Sequence, residues 1–402
     1  MKTYVLLVLS LLLYAGTIFG QKLNLNQGEV ASEDYFEEVD FEFVKNKIVV
    51  PVTIDGKIYR FILDTGAPNV ISKELYELLN PKLIDTISVS DAHENKETLK
   101  LVSLEKVKVG NLEFTNTASL VQEFGDNNPL KCLGLDGFLG SNMLRNSILQ
   151  VDLRNKKIRI TNDNKKLELK KKHSSKIMLT SSQSNPFVWI ELMGEGKGKE
   201  QVLIDTGMEG LYDLSKDNYG IFEGKNIFKL ISESDGASGF GLFGSPESAK
   251  QYQLLLPRMK INDFLLEDVT TVTGNDDNSR IGAELLKYGV PTIDYLNKRF
   301  YFEPYEEKTT ILEMDFGFSR TLENENLIVG LVWDDTLKEK ISYGDKILEI
   351  NGNPFNLCEL VVENNYFENE NSLELKIEKS NGEIIQISVE KRPIVEKVSL
   401  DE

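Results

Sequence analysis

Two short runs place a carboxylate where it could do chemistry. "FILDTGAPNVIS" sets Asp64 after three apolar residues and before Thr65 and Gly66. "VLIDTGMEGLYDLS" does the same with Asp205, Thr206 and Gly207. An apolar strand ending in Asp-Thr-Gly leaves the carboxylate beside backbone N–H groups with no side chain in the way. Two carboxylates held close share one proton, because both cannot ionise easily. The ionised member then accepts a proton from water, and the protonated member donates one. The two triplets are 141 residues apart (205 − 64), so only the fold can pair them.

Other chemistries are poorly supplied. The chain has two histidines, His93 and His173, and neither lies near a nucleophile motif. Zinc sites rich in His and Cys lack ligands for the same reason. "MGEGKGKE" has glycines and a lysine but not the phosphate-loop spacing, and reads as a hairpin turn between strand-like runs. "GNDDNS" reads as an exposed acidic loop. The net charge of −18 argues against a nucleic-acid partner, which needs a basic footprint. The expected cofactor and metal requirement is none.

The triplets belong to a longer repeat. "GFLGSNMLRNSILQVDLRNKKIRI" aligns with "SRIGAELLKYGVPTIDYLNKRFYF", bringing Gly140 onto Gly282 and Asp152 onto Asp294. Asp64 to Gly140 is 76 residues, and Asp205 to Gly282 is 77. One structural unit is therefore used twice. Each unit reads as strands with brief helices, which suggests a closed, mostly antiparallel barrel.

On these residues the chain resembles the aspartic protease superfamily. "ILDTGAPNVIS" is similar to a retropepsin active-site loop, and "FLGSNML" resembles the segment that closes it. The duplicated single-chain layout resembles pepsin-like enzymes. The resemblance implies peptide-bond hydrolysis by a dyad of Asp64 and Asp205. It implies that Thr65 and Thr206 lock the loops across the two lobes, with Gly66, Gly207, Gly140 and Gly282 packed around them. Where many pepsin-like enzymes carry a hydroxyl after Asp-Thr-Gly, this chain has Ala67 and Met208. With fewer hydrogen bonds to the anion, the dyad's pKa values should sit higher, and the pH optimum should be mildly acidic or near neutral. The family covers its substrate with flaps. The expected flap is "SDGASGFGLFGS", with Gly239, Phe240, Gly241 and Phe243; its counterpart lies near "SDAHENKET" at 90–98.

Positioning these parts needs a mainly β chain: two duplicated acid-protease barrel lobes followed by a PDZ-like domain. The expected divisions are a signal peptide at 1–20, an acidic arm or pro-segment at 21–40 and lobe 1 at 41–162. A charged linker at 163–176, lobe 2 at 177–305 and the PDZ domain at 310–392 follow. The opening "MKTYVLLVLSLLLYAGTIFGQK" has the basic start, short apolar run and small residues of an export signal. The final compartment is periplasm, cell surface or medium. "GDKILEING" resembles a PDZ motif, and Phe316, Gly317 and Phe318 fall where a carboxylate-binding loop would lie. Expected partners are protein or peptide substrates and a peptide or C-terminal ligand of the PDZ domain, on a monomer. The other readings of the same features are a peptide-binding adaptor without turnover and an enzyme that cleaves only itself. Cys132 and Cys358 fall in different domains, so two separate thiols are expected rather than a bridge.

Overall fold

The computed structural model describes residues 24–91, 95–125, 128–239, 241–323, 325–363 and 366–395. The expected signal peptide, His93 and Phe240 lie outside the described residues. The protein is mainly β, with short helices between strands. Among the described residues, no helix is long and apolar enough to cross a membrane, and no cluster of metal-ligating side chains forms.

The strands Lys57–Asp64 and Lys197–Ile204 both change character along their length. Each starts partly exposed and ends in buried apolar residues: Phe61, Ile62 and Leu63 in one, Val202, Leu203 and Ile204 in the other. A continuous apolar run replaces alternation because the strand's end is covered on both faces. The covering neighbours are parallel. Gly137–Gly140 runs beside Phe61–Asp64, with Gly140 opposite Asp64. Arg280–Ile281 runs beside Leu203–Ile204.

Matched sequences adopt matched turns. Asp152 accepts hydrogen bonds from the backbone and side-chain N–H groups of Asn155. Asp294 accepts the same two from Asn297. The following residues, Lys156 and Lys298, have φ of 51° and 52°. Asp side chains favour such turns because they replace a backbone acceptor.

The two halves share one sheet. Ile148–Asp152 pairs antiparallel with Gly289–Asp294, so Leu149 faces Ile293. A single apolar core runs through both halves, from Val50 and Leu63 to Ile204 and Phe302. The stretch set aside as an acidic arm contributes to this sheet: Phe36–Asp40 pairs with Lys157–Thr161. Tyr35 is buried, and its hydroxyl donates to the Asn146 carbonyl at 2.8 Å.

Residues from Met314 onward form a separate core around Phe318, Val329, Ile347 and Leu375. Its edge strand Phe318–Glu323 pairs with Asn326–Val332 on one side and bridges in parallel to Gly239 at Thr321 on the other. Contrary to the expectation of two free thiols, Cys132 and Cys358 form a disulfide. The expectation failed because domain membership says nothing about distance: the short helix Pro129–Cys132 lies against the helical turn Glu359–Glu363 of the C-terminal region.

Candidate active site

Asp64 ends its strand and Asp205 directly follows its own, on two loops that meet back to back. The Thr65 hydroxyl donates to the Ile204 carbonyl at 2.6 Å, and the Thr206 hydroxyl donates to the Leu63 carbonyl at 2.7 Å. Each hydroxyl also accepts the other threonine's backbone N–H, at 3.1 Å both ways. Both threonines are buried, so every one of these groups would lose free energy if left unpaired.

The glycines bring the carboxylates together. Gly66 N–H donates to Asp64 Oδ1 and Gly207 N–H to Asp205 Oδ1, each at 2.9 Å. Each glycine also lies against the opposite carboxylate. A Cβ on Gly66 would sit 2.4 Å from Asp205 Cγ, and one on Gly207 would sit 2.4 Å from Asp64 Cγ. Only glycine permits that approach. Gly140 and Gly282 do the same job one layer down. A Cβ there would meet the backbone of Pro68 at 2.2 Å and of Gly210 at 2.3 Å. Below the loops, the Ser141 hydroxyl donates to the Thr65 carbonyl and bonds the Tyr295 hydroxyl, tying the first half to the second.

Asp64's carboxyl is pushed up to about 7. Burial is the main cause and the Asp205 charge the second; Lys47, the Gly66 N–H and Arg280 pull the other way. The direction is the one expected from Ala67 and Met208, but the leading cause is desolvation.

Sequence reasoning missed the charged groups around the pair. Lys47 donates to the Gly207 carbonyl at 2.5 Å and pairs with Glu209 at 3.2 Å. Arg280 Nη1 lies 3.4 Å from Asp205 Oδ2, and its other end pairs with Asp276. Asp213 stands opposite Arg280 on the neighbouring strand. Burial pushes its carboxyl to about 6, with Arg280 opposing and Asp205 adding to the rise. A signal for Arg280 was present: in the aligned repeat it replaces the apolar Phe138.

The candidate flap is anchored rather than free. Two antiparallel strands, Lys229–Gly236 and Ala249–Ile261, carry it. Phe243 N–H donates to Asp91 Oδ2 at 2.9 Å, and Asn95 Nδ2 donates to the Ser245 carbonyl at 3.3 Å. Asp91 and Asn95 belong to the turn after Lys82–Ser90, where the counterpart flap was expected. On the other side, the Thr321 hydroxyl donates to the Gly239 carbonyl at 2.8 Å and bonds the Ser245 hydroxyl at 2.9 Å. Gly241 N–H donates to the Gly244 carbonyl at 2.7 Å, closing the tip. Phe243 packs on an apolar cluster of the first half that includes Val70 and Phe138.

The residues expected to form a carboxylate-binding loop are engaged internally. Gly317 N–H donates to Asp315 Oδ1 at 2.8 Å. Phe316 and Phe318 are buried, and both meet the Phe367 ring edge-on, with centroids at 5.9 and 6.3 Å.

Residues 50–143 match the family described as aspartyl protease, a stretch that contains Asp64 and Gly140. A retropepsin-like aspartic protease from Rickettsia conorii is similar in structure, with 16% identity and a TM-score of 0.24. That likeness covers 34% of this chain and 95% of that one. The aspartic proteinase from Irpex lacteus is similar at 12% identity with a TM-score of 0.38, covering 67% and 97% of the respective chains. No curated protein sequence matches the chain. By the family match, residues 50–143 belong to a distant aspartic-protease-like domain.

Proposed function

We propose that the protein is an aspartic endopeptidase in which Asp64 and Asp205 form the dyad, contributed by two duplicated barrel lobes. The reciprocal placement of the two loops carries this reading: each Asp-Thr-Gly glycine lies against the other loop's carboxylate. That arrangement shields the pair and forces it to share a proton. The pair then supplies a base for the attacking water and an acid for the substrate carbonyl. Protein or peptide substrates would lie between the lobes beneath the loop that carries Phe243. The leader sequence supports export, and the self-contained pair needs no second chain.

We read the C-terminal region as a PDZ-like module. Its edge strand is engaged by the chain itself, since Gly239 bridges to Thr321 in parallel. That contact favours packing against the flap over capture of a foreign C-terminus.

Cleavage of a diverse peptide library across pH 3–8 tests the enzyme reading. Wild type cleaves, and Asp64→Asn and Asp205→Asn each abolish cleavage. Folded wild-type protein that leaves the whole library intact supports a peptide-binding adaptor instead.

A further inference from the structure

The two halves differ in the charge of one matched pair of residues beside the carboxylates. In the first half, Phe138 lies opposite Val70 on antiparallel strands, and both are buried in an apolar cluster. In the second half, the corresponding residues are Arg280 and Asp213. Arg280 keeps the repeat's offset from Phe138, 280 − 138 = 142, and Asp213 holds the same place across the strand pair from it that Val70 holds from Phe138. An apolar pair has become a charged one, and the guanidinium reaches Asp205 Oδ2 at 3.4 Å.

Nothing comparable touches Asp64, which makes no ion pair among the described residues. Its nearest cation by influence, Lys47, is held by the Gly207 carbonyl and Glu209. The glycine N–H bonds to the two carboxylates are equal in length. Arg280 is therefore the direct asymmetry between them. The charged groups around it are Asp205, Asp213 and Asp276; those around Asp64 are Asp205, Lys47 and Arg280, with the Tyr295 hydroxyl below.

We propose that Arg280 is a positioning residue that keeps Asp205 as the ionised member of the pair and leaves the shared proton on Asp64. This rests on the endopeptidase reading. Asp205 takes a proton from water as the water oxygen bonds to the substrate carbonyl carbon. The C=O π bond opens, and Asp64 gives its proton to that oxygen. On collapse, the C–N bond breaks, the nitrogen takes the proton held by Asp205, and Asp64 recovers a proton from one hydroxyl as the new carbonyl forms. A guanidinium serves here because its charge persists across the working pH range.

The test is the pH profile of kcat/KM for wild type, Arg280→Met, Arg280→Lys and Asp213→Asn. The acid limb reports loss of the pair's first proton. Removing Arg280 moves that limb up by about one unit or more, the size expected when an Arg leaves a neighbouring carboxylate. The lysine variant falls between, and Asp213→Asn leaves the limb in place, because the Asp213 carboxyl, pushed up to about 6 by burial, is already neutral on the acid side. A structural role would lower the rate without moving the limb, and that result overturns the proposal. If Arg280→Met does not fold, the lysine variant decides: a limb that does not rise in Arg280→Lys overturns the proposal. Carbon-13 NMR of labelled Asp carboxyls at pH 6 gives a readout without turnover. In wild type the Asp205 signal, assigned by its loss in Asp205→Asn, lies at the ionised position and moves toward the protonated one in Arg280→Lys. An Asp205 signal already protonated in wild type overturns the proposal even if peptides are cleaved. An absence of cleavage with the expected NMR shifts sinks the endopeptidase reading alone.

Discussion

Replacing Asp64 by Asn should stabilise the fold in a pH-dependent way. Asp64's pKa rises from 3.8 in the unfolded chain to about 7 in the folded one. The folded state therefore binds that proton more tightly. The resulting stabilisation is complete below pH 3.8 and is lost as pH rises through about 7. The difference of roughly three units corresponds to about 4 kcal/mol at 1.36 kcal/mol per unit. Asparagine carries no charge at any pH, and its Oδ1 still accepts the Gly66 N–H, so the variant escapes most of this loss. Urea unfolding of both proteins at pH 4 and pH 8, with the disulfide intact and m unchanged, should show the gap widening by about 4 kcal/mol in favour of Asp64→Asn. In an Asp205→Asn background the gap should shrink, because the negative neighbour is gone and burial alone remains. A gap that stays flat with pH, or that closes toward pH 8, would refute the reasoning.

Three further outcomes follow from the same geometry. Gly66→Ala pushes a methyl group to 2.4 Å from Asp205 Cγ; displacing the pair should cost about 100-fold in kcat/KM, measured on a peptide that wild type cleaves. Thr206→Val removes the donor to the Leu63 carbonyl and the acceptor for the Thr65 N–H. Two buried groups lose partners, so urea unfolding should show a loss of about 2–4 kcal/mol, and a loss under 1 kcal/mol would contradict the buried interlock. Cleavage should decline above about pH 7, where Asp64 gives up the proton it must donate, and a rate still climbing at pH 9 would exclude that assignment.

The parts of the site that depend on local sequence were legible. Asp-Thr-Gly after an apolar run announces a strand end, and its repetition announced a partner. The aligned Asp-x-x-Asn turns carried the repeat into the hairpins. What failed depends on distant residues meeting. Cys132 and Cys358 give no sign of proximity, because their approach is set by how the C-terminal region docks. The Gly-rich loop at 234–245 has a mobile composition, yet hydrogen bonds to Asp91, Asn95 and Thr321 hold it. Lys47 lies in a turn-to-strand stretch with no motif, and its position beside Gly207 comes only from the contact of the two halves. Arg280 was the recoverable one: a charge replaces an aromatic ring inside an alignment that otherwise keeps its apolar character.

The Cys132–Cys358 bond makes the covalent chain a ring with two tails. Asp205 and the basic stretch "KKLELKKKH" lie on the ring, whereas Asp64 lies on the amino-terminal tail. A single protease nick anywhere from 133 to 357 opens the ring without releasing a fragment. The two aspartates would then stay on one molecule in a non-reducing gel, and reduction would separate them after a cut in that basic stretch. The pairing of the two carboxylates is thus secured twice, by the shared sheet and by the closed path of the chain.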